Sequence, residues 1–320
     1  MPAPASALES AHVPRTKRLK RAVTYAIIAT LVGLLTRLPR PLTELFCRAL
    51  GALAYLALGR ARTRARSRLR AGLNLDPVPA RRVWAVFASM GRLLADTLLL
   101  LRRSEKASRS LSLDAASRAV FREALREGRG VVFVAAHLGP WERMAALLAE
   151  EGFPVAAVAR ASNDPRLTRL YERLRRPRGV RSIYRQSPGA PMAIARELAR
   201  GSAVGFLIDL PARVPCARAR LFGEDADVPV GPARIALARR AAVVVGTCAP
   251  PTAPAPDGGR PSPIVLITRV PTADLKPGPE GEAELTARLA RAIEARIRAW
   301  PEAWLGLFVR PRLRAADVPR

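Results

Sequence analysis

Histidine is nearly absent from this chain: there are two in 320 residues, His12 and His137. His12 sits in a leader rich in Pro, Ala and Ser with no periodic apolar pattern, so residues 1–16 are expected to be disordered. Any chemistry that needs an imidazole in a folded site then falls to His137. Cysteine is also scarce. Cys47, Cys216 and Cys248 are odd in number and lack a CxxC spacing, which argues against a disulfide framework or a zinc site. No metal or cofactor is expected. Aromatic residues make up only 5% and no RNA- or DNA-binding motif stands out, so a nucleic-acid partner is not expected. No Ser- or Gly-rich linker divides the chain, and no G-x-S-x-G nucleophile elbow occurs.

What the chain has in excess is arginine. Of its 54 basic residues only four are lysine, which leaves 50 arginines against 26 acids and a formal net charge of +28. Base composition of the genome is one source of such a bias. Whatever its origin, the charge attracts anions: lipid headgroups, phosphates, an acidic carrier protein.

The N-terminal part reads as a membrane-attaching segment over 17–60. Lys17, Arg18, Lys20 and Arg21 precede an uncharged run, Ala22–Leu35, closed by Arg37, Pro39, Arg40 and Pro41. A second apolar stretch, Leu42–Leu58, is interrupted by Glu44 and Arg48. Runs this short more often lie at the interface or re-enter than span. A cleaved signal peptide, for which no small-residue cleavage site follows the run, and a buried helical hairpin are the other readings. Arginine then recurs at every second position from Arg60 to Arg70, all round a helix, and Arg82–Leu101 reads as an amphipathic helix with Val83, Phe87, Met90, Leu94 and Leu98 on one side.

A globular domain is expected over 61–320. Gly130–Ala136 is a short apolar run typical of a strand buried on both faces. Val155–Ala159, Ala203–Ile208, Ala242–Thr247 and Ile264–Arg269 are further strand candidates. Helical patterns at Pro140–Glu151, Arg166–Arg175, Ala190–Arg200, Pro232–Arg240 and Glu282–Ala299 separate them. This alternation predicts an α/β fold with a mainly parallel central sheet flanked by helices. In such sheets ligands bind beyond the carboxyl ends of the strands.

His137 lies at such an end, in the string His137-Leu138-Gly139-Pro140-Trp141-Glu142. Gly139 permits a tight turn and Pro140 suits a helix start. Glu142 then falls in the first helical turn, where its carboxylate is expected to curl back and accept the Nδ1 proton. That would leave Nε2 free as a base. The adjacent helix N-terminus offers donors for a phosphate or a developing oxyanion.

This string resembles the His-x4-Asp/Glu motif of the glycerolipid acyltransferases, in the form found in the branch of lipid A biosynthesis lauroyl/myristoyl acyltransferases. The likeness runs from about Lys17 to Arg312. Leu38-Pro39 and Gly51–Tyr55 resemble the family's N-terminal membrane-proximal helices, and Leu73-Asn74-Leu75 its Asn-Leu element. Arg160 with Pro165 is similar to its Arg-Pro-x-x-Asn-Pro segment, and Gly205–Asp209 to its strand ending in a functional aspartate. Leu221-Phe222-Gly223 with Gly231-Pro232-Ala233, and Pro301-Glu302 with Trp304, resemble its later blocks. Three positions depart from the pattern: Asp164 stands where the family has Asn, Leu210 follows the aspartate, and only Arg310 survives of the C-terminal His-Arg-Arg-Trp.

The resemblance implies transfer of a fatty acyl group from a thioester to a lipid hydroxyl, with His137 and Glu142 as the catalytic pair. It implies substrate contacts at Trp141, Arg160, Asp164, Asp209 and Arg310. The implied donor is acyl carrier protein or acyl-CoA, and the acceptor a lipid. The implied place is the bacterial inner membrane, with the catalytic domain on its cytoplasmic side. A basic membrane- or nucleic-acid-binding protein without catalysis and an acyltransferase-like pseudoenzyme are the competing readings.

Overall fold

The structure, a computed structural model, describes residues 15–73, 76–251 and 261–308. The leader through residue 14 with His12, the Asn74-Leu75 pair and Arg310 lie outside the described residues. Four helices come first: α1 (Arg15–Leu35), α2 (Arg40–Ala57), α3 (Gly59–Leu73) and α4 (Ala80–Leu100). α1 starts two residues ahead of the expected Lys17. Pro39 and Pro41 set the start of α2, a position that needs no amide donor.

α2 and α4 cross closely because glycines meet there. A Cβ on Gly51 would lie 2.7 Å from the Phe87 carbonyl oxygen, and one on Gly91 would lie 2.6 Å from that of Cys47. This crossing corrects the expected stripe on α4. Val83, Phe87 and Leu98 are buried and Met90 is half-buried, but Leu94 faces outward while Gly91 and Ala95 take the inner line. Small residues, invisible to an apolar-periodicity reading, decided which face packs.

The rest is α/β. In chain order come β1 (Ser112–Leu113), α5 (Ala115–Arg126), β2 (Val131–Ala135), α6 (Trp141–Glu150), β3 (Val155–Ala159) and α7 (Pro165–Arg175). These are followed by β4 (Arg181–Tyr184), α8 (Ala190–Ala199), β5 (Ala203–Leu207), β6 (Cys216–Leu221) and β7 (Glu224–Pro229). α9 (Gly231–Arg239), β8 (Ala242–Ala249), β9 (Ile264–Arg269) and α10 (Pro279–Ala299) come next, followed by short helical turns at Pro301–Ala303 and Leu305–Phe308. Seven strands form one sheet in the order β1-β9-β8-β2-β5-β3-β4, parallel except where β9 pairs antiparallel with β8. β6 and β7 form a separate antiparallel hairpin.

The two faces of β2 follow its pleat. Val132 and Val134 join a core with residues of α3, α4, α9 and α10, whereas Val131, Phe133 and Ala135 join one with residues of α5, α6 and α7. Both faces are covered, which is why the strand reads as an unbroken apolar run. The β6–β7 hairpin carries no such run. It sets Arg and Asp between alanines, and alanine on the inward face gives too weak an apolar signal to announce it.

Among the described residues one helix, α4, is long and apolar enough to cross a membrane, and 50% of that stretch is buried inside the protein. α1 and α2 expose apolar side chains instead: Leu19, Val23, Ile27, Leu31 and Leu34 along one, Leu42, Leu45, Phe46, Leu53 and Leu56 along the other.

Candidate active site

β2, β5 and β3 lie side by side and run parallel, with Ala135 opposite Leu207 and Ala157 opposite Gly205. Their carboxyl ends therefore share an edge. The chain passes from β2 to β3 and β4 before β5 returns between β2 and β3, and this crossover brings distant residues together.

Two residues past β2 stands His137. The next turn depends on Gly139, whose φ of 61° suits glycine. A Cβ there would lie 2.8 Å from the Trp300 ring and 3.1 Å from the Cys248 Cβ. The C-terminal segment clamps this turn. The Leu305 N–H donates to the His137 carbonyl at 3.0 Å, and the Gly139 N–H donates to that of Ala303 at 3.1 Å.

The carboxylate on the ring belongs to Asp209, not Glu142. His137 Nδ1 lies 2.9 Å from Asp209 Oδ1, and Trp304 Nε1 donates to Asp209 Oδ2 at 2.8 Å. A carboxylate only accepts, so the Nδ1 facing it carries a proton, and the tautomer that this contact selects has its lone pair on Nε2. The Asp209 side chain is 0% exposed while that of His137 is 24% exposed, so the pair has a buried end and an open end. The Trp141 ring meets the imidazole edge-on, with centroids 5.0 Å apart.

Behind Asp209 stands a further brace. The Trp304 ring lies 5.1 Å from that of Phe222. Phe222 and Gly223 occupy the two-residue loop of the β6–β7 hairpin with φ of 56° and 82°, the geometry such loops require. A phenylalanine in the left-handed region is unusual. Its backbone N–H donates to Glu294 of α10 at 2.7 Å, which ties the loop down.

Glu142 does not curl back. Consecutive helix residues project about 100° apart, so with Trp141 turned to the imidazole, Glu142 points between α6 and α7. There its carboxylate receives two hydrogen bonds from Arg175, Nη2 to Oε1 at 2.5 Å and Nε to Oε2 at 2.9 Å. Both partners are buried. Burial alone would lower the Arg175 pKa, but the hydrogen bonds and charge of Glu142 outweigh it and raise it. The Tyr171 hydroxyl is also pushed up, first by burial and then by the Glu142 charge.

The other expected residues fall apart from the imidazole. Arg160 is exposed and donates to Asn163 Oδ1 at 3.2 Å. Asp164 caps α7, accepting from the Arg166 backbone N–H at 3.0 Å and from the Arg166 guanidinium at 3.0 and 2.8 Å. These bonds hold its carboxyl below the ordinary aspartate range.

A narrow apolar cavity of about 50 Å³ opens between α6 and the face of β2, β3 and β5, lined by Phe133, Ala145, Leu148, Ala157 and Leu207 among others. Trp141 touches both this cavity and the His137 ring, and Glu142 and Arg175 form the cavity's charged wall.

A family model for bacterial lipid A biosynthesis acyltransferases matches residues 11–314. The chain belongs to this family. It is therefore an acyltransferase, and its reaction needs an acyl donor and a lipid acceptor. Among curated proteins, none matches the chain significantly. In this acyltransferase the His137 ring meets the carboxylate that follows β5 instead of the one on α6. Sequence reasoning assigned no site role to Trp304 or Arg175. The first was signalled by the Pro-Glu-x-Trp likeness; the second carries no local signature in a chain so rich in arginine.

Proposed function

We propose that this chain transfers a fatty acyl group from a thioester directly to a hydroxyl of an envelope glycolipid. His137 acts as general base. Its Nε2 takes the proton of the acceptor hydroxyl as that oxygen attacks the thioester carbonyl, and Nδ1–H donates to Asp209 as the ring becomes an imidazolium. The tetrahedral intermediate then expels the thiolate, which takes the proton from Nε2, leaving an ester, a thiol and a neutral ring. We assign the oxyanion to the first-turn amides of Glu142 and Arg143 on α6, since those of Trp141 and Met144 donate to Gly139 and Pro140.

In this reading Asp209 is a positioning residue, since both its oxygens are held within the protein. Glu142 acts through structure, fixing α6 to α7 by way of Arg175. The cavity behind Trp141 takes the far end of the acyl chain. Its free volume is that of a few water molecules, so a longer chain enters only as α6 shifts outward. The exposed apolar lines on α1 and α2 support attachment to a bilayer through 17–60, and we assign the catalytic domain to its cytoplasmic side. The donor is acyl carrier protein or acyl-CoA.

The observation that carries this reading is the 2.9 Å contact between His137 Nδ1 and Asp209 at a sheet edge beside an apolar cavity. Its test is His137→Ala, assayed with a radiolabelled acyl thioester and a lipid acceptor. Transfer should fall by about 100-fold or more with the fold intact; undiminished turnover ends the proposal. Mass spectrometry of envelope lipids with and without the protein identifies the acceptor.

A further inference from the structure

A second pocket, of about 360 Å³, lies on the surface where the start of α1 meets the start of α7, lined by Arg21, Asn163, Asp164, Pro165, Arg166 and Arg169. The Arg166 guanidinium stacks over the Tyr25 ring at 4.3 Å, and this contact joins α1 to α7. Arg21, one turn before Tyr25, is thereby brought to the rim.

The charges do not cancel. Asp164 spends both carboxylate oxygens on Arg166. Among the described residues, Arg21 and Arg169 form neither a salt bridge nor a side-chain hydrogen bond. Three guanidiniums face one carboxylate, which leaves two positive charges on a single concave wall. Guanidinium groups match the oxygen geometry of phosphate, and a pair of them matches its charge.

Position narrows the ligand. The pocket opens just past β3, two strand spacings (about 10 Å) from β2, which carries His137 at the same edge. On the other side, α1 presents its exposed line of Leu19, Val23, Ile27 and Leu31. A phosphate held here would sit at headgroup depth if that line rests on a bilayer, and within a substrate's length of the imidazole.

We propose that Arg21, Arg169 and Arg166 form a phosphate-ester subsite that positions one of the two substrates of the transfer reaction. It rests on the acyl-transfer reading for its purpose, but not for its existence. The phosphate comes from one of two sources: the headgroup of the acceptor lipid, or the phosphopantetheine arm of the donor.

The test is binding to the full chain in an uncharged detergent, with each ligand added alone. One pair is dihexanoyl phosphatidic acid against dihexanoylglycerol, and the other is 4′-phosphopantetheine against pantetheine. The wild-type chain should bind the phosphorylated member of one pair at least about tenfold more tightly than its counterpart, and the pair that shows this identifies the source. Arg21→Ala with Arg169→Ala should reduce that preference to about twofold or less. Arg169→Ala alone, at an exposed position, gives a smaller loss should the double variant fold poorly. A wild-type chain without phosphate preference in either pair, or variants that keep it, would overturn the subsite. No thioester is present, so the result reads this pocket whether or not His137 performs the transfer.

Discussion

Asp209 and His137 are 72 residues apart in sequence and meet at 2.9 Å, the carboxylate buried and the ring open to solvent on its other side. The meeting follows from strand order. β5 returns between β2 and β3, so the residues just past β2 and β5 become neighbours. Trp304 holds the second oxygen and fixes the carboxylate plane.

The first prediction concerns the charge on that carboxylate. In Asp209→Asn the side-chain oxygen still accepts from Trp304, while the amide turns an N–H toward Nδ1. The ring must then accept there and carry its proton on Nε2, which removes the base. The expected result is a fall in kcat of about 100-fold or more with KM little changed and melting temperature retained. A full kcat would show that Asp209 does not set the tautomer.

Trp304→Phe removes the donor but keeps most of the ring that packs on Phe222. Asp209 Oδ2 is then left buried without a partner, at a cost of about 1–3 kcal/mol. Stability should drop by that amount, and kcat should fall by less than in Asp209→Asn, because the Nδ1 contact survives. Denaturant melts and steady-state kinetics on both variants check the ranking. A larger kcat loss in Trp304→Phe contradicts it.

Most of the sheet was legible because buried parallel strands such as Val131–Ala135 read as uninterrupted apolar runs between glycines. His137 was legible for a different reason, being the one imidazole outside the leader. Proximity in sequence favoured Glu142 as the ring's neighbour, whereas side-chain direction on α6 sends Glu142 to Arg175 and leaves the Nδ1 contact to Asp209. Asp209 was marked by resemblance alone; its contact with His137 depends on the crossover order, which no local pattern encodes. The β6–β7 hairpin went unseen because its inward face is built largely of small residues, Ala219 and Ala226 among them, set between arginines and aspartates, yet its loop supplies Phe222 behind Trp304.

The Glu142–Arg175 pair makes a separable prediction. Removing one partner strands a buried charge, so Glu142→Leu or Arg175→Met should each destabilise by about 3–5 kcal/mol. The double variant should cost clearly less than the sum, since an apolar pair replaces both charges. Equilibrium unfolding of the four proteins completes the cycle. Additive losses would mean that the two side chains do not act as a pair.

Asp164 gives a pH dependence. Its carboxyl is held below the ordinary range, chiefly by the hydrogen bond from the Arg166 side chain. A group depressed on folding stabilises fully above its unfolded value, about 3.9, and loses that contribution as the pH falls through the folded value. Asp164→Asn keeps the cap but not the charge. The melting-temperature gap between the two proteins should therefore be constant at neutral pH and shrink below about pH 3.9. A gap that does not change with acid would refute the assignment.

The apolar cavity sets the last prediction. Ala145 on α6 and Ala157 on β3 face it from opposite walls. Ala145→Phe fills the space that would otherwise receive the end of an acyl chain, so long donors lose contacts while short ones keep theirs. Each methylene in a snug apolar site contributes about 1–3 kcal/mol, so kcat/KM for the longest accepted donor should fall by at least about tenfold. A donor several carbons shorter should be used nearly as well as before. Overpacking costs about 1–3 kcal/mol of stability, and the short donor controls for that damage. Equal losses with both donors would place the acyl chain elsewhere and leave this cavity a packing defect between α6 and the sheet.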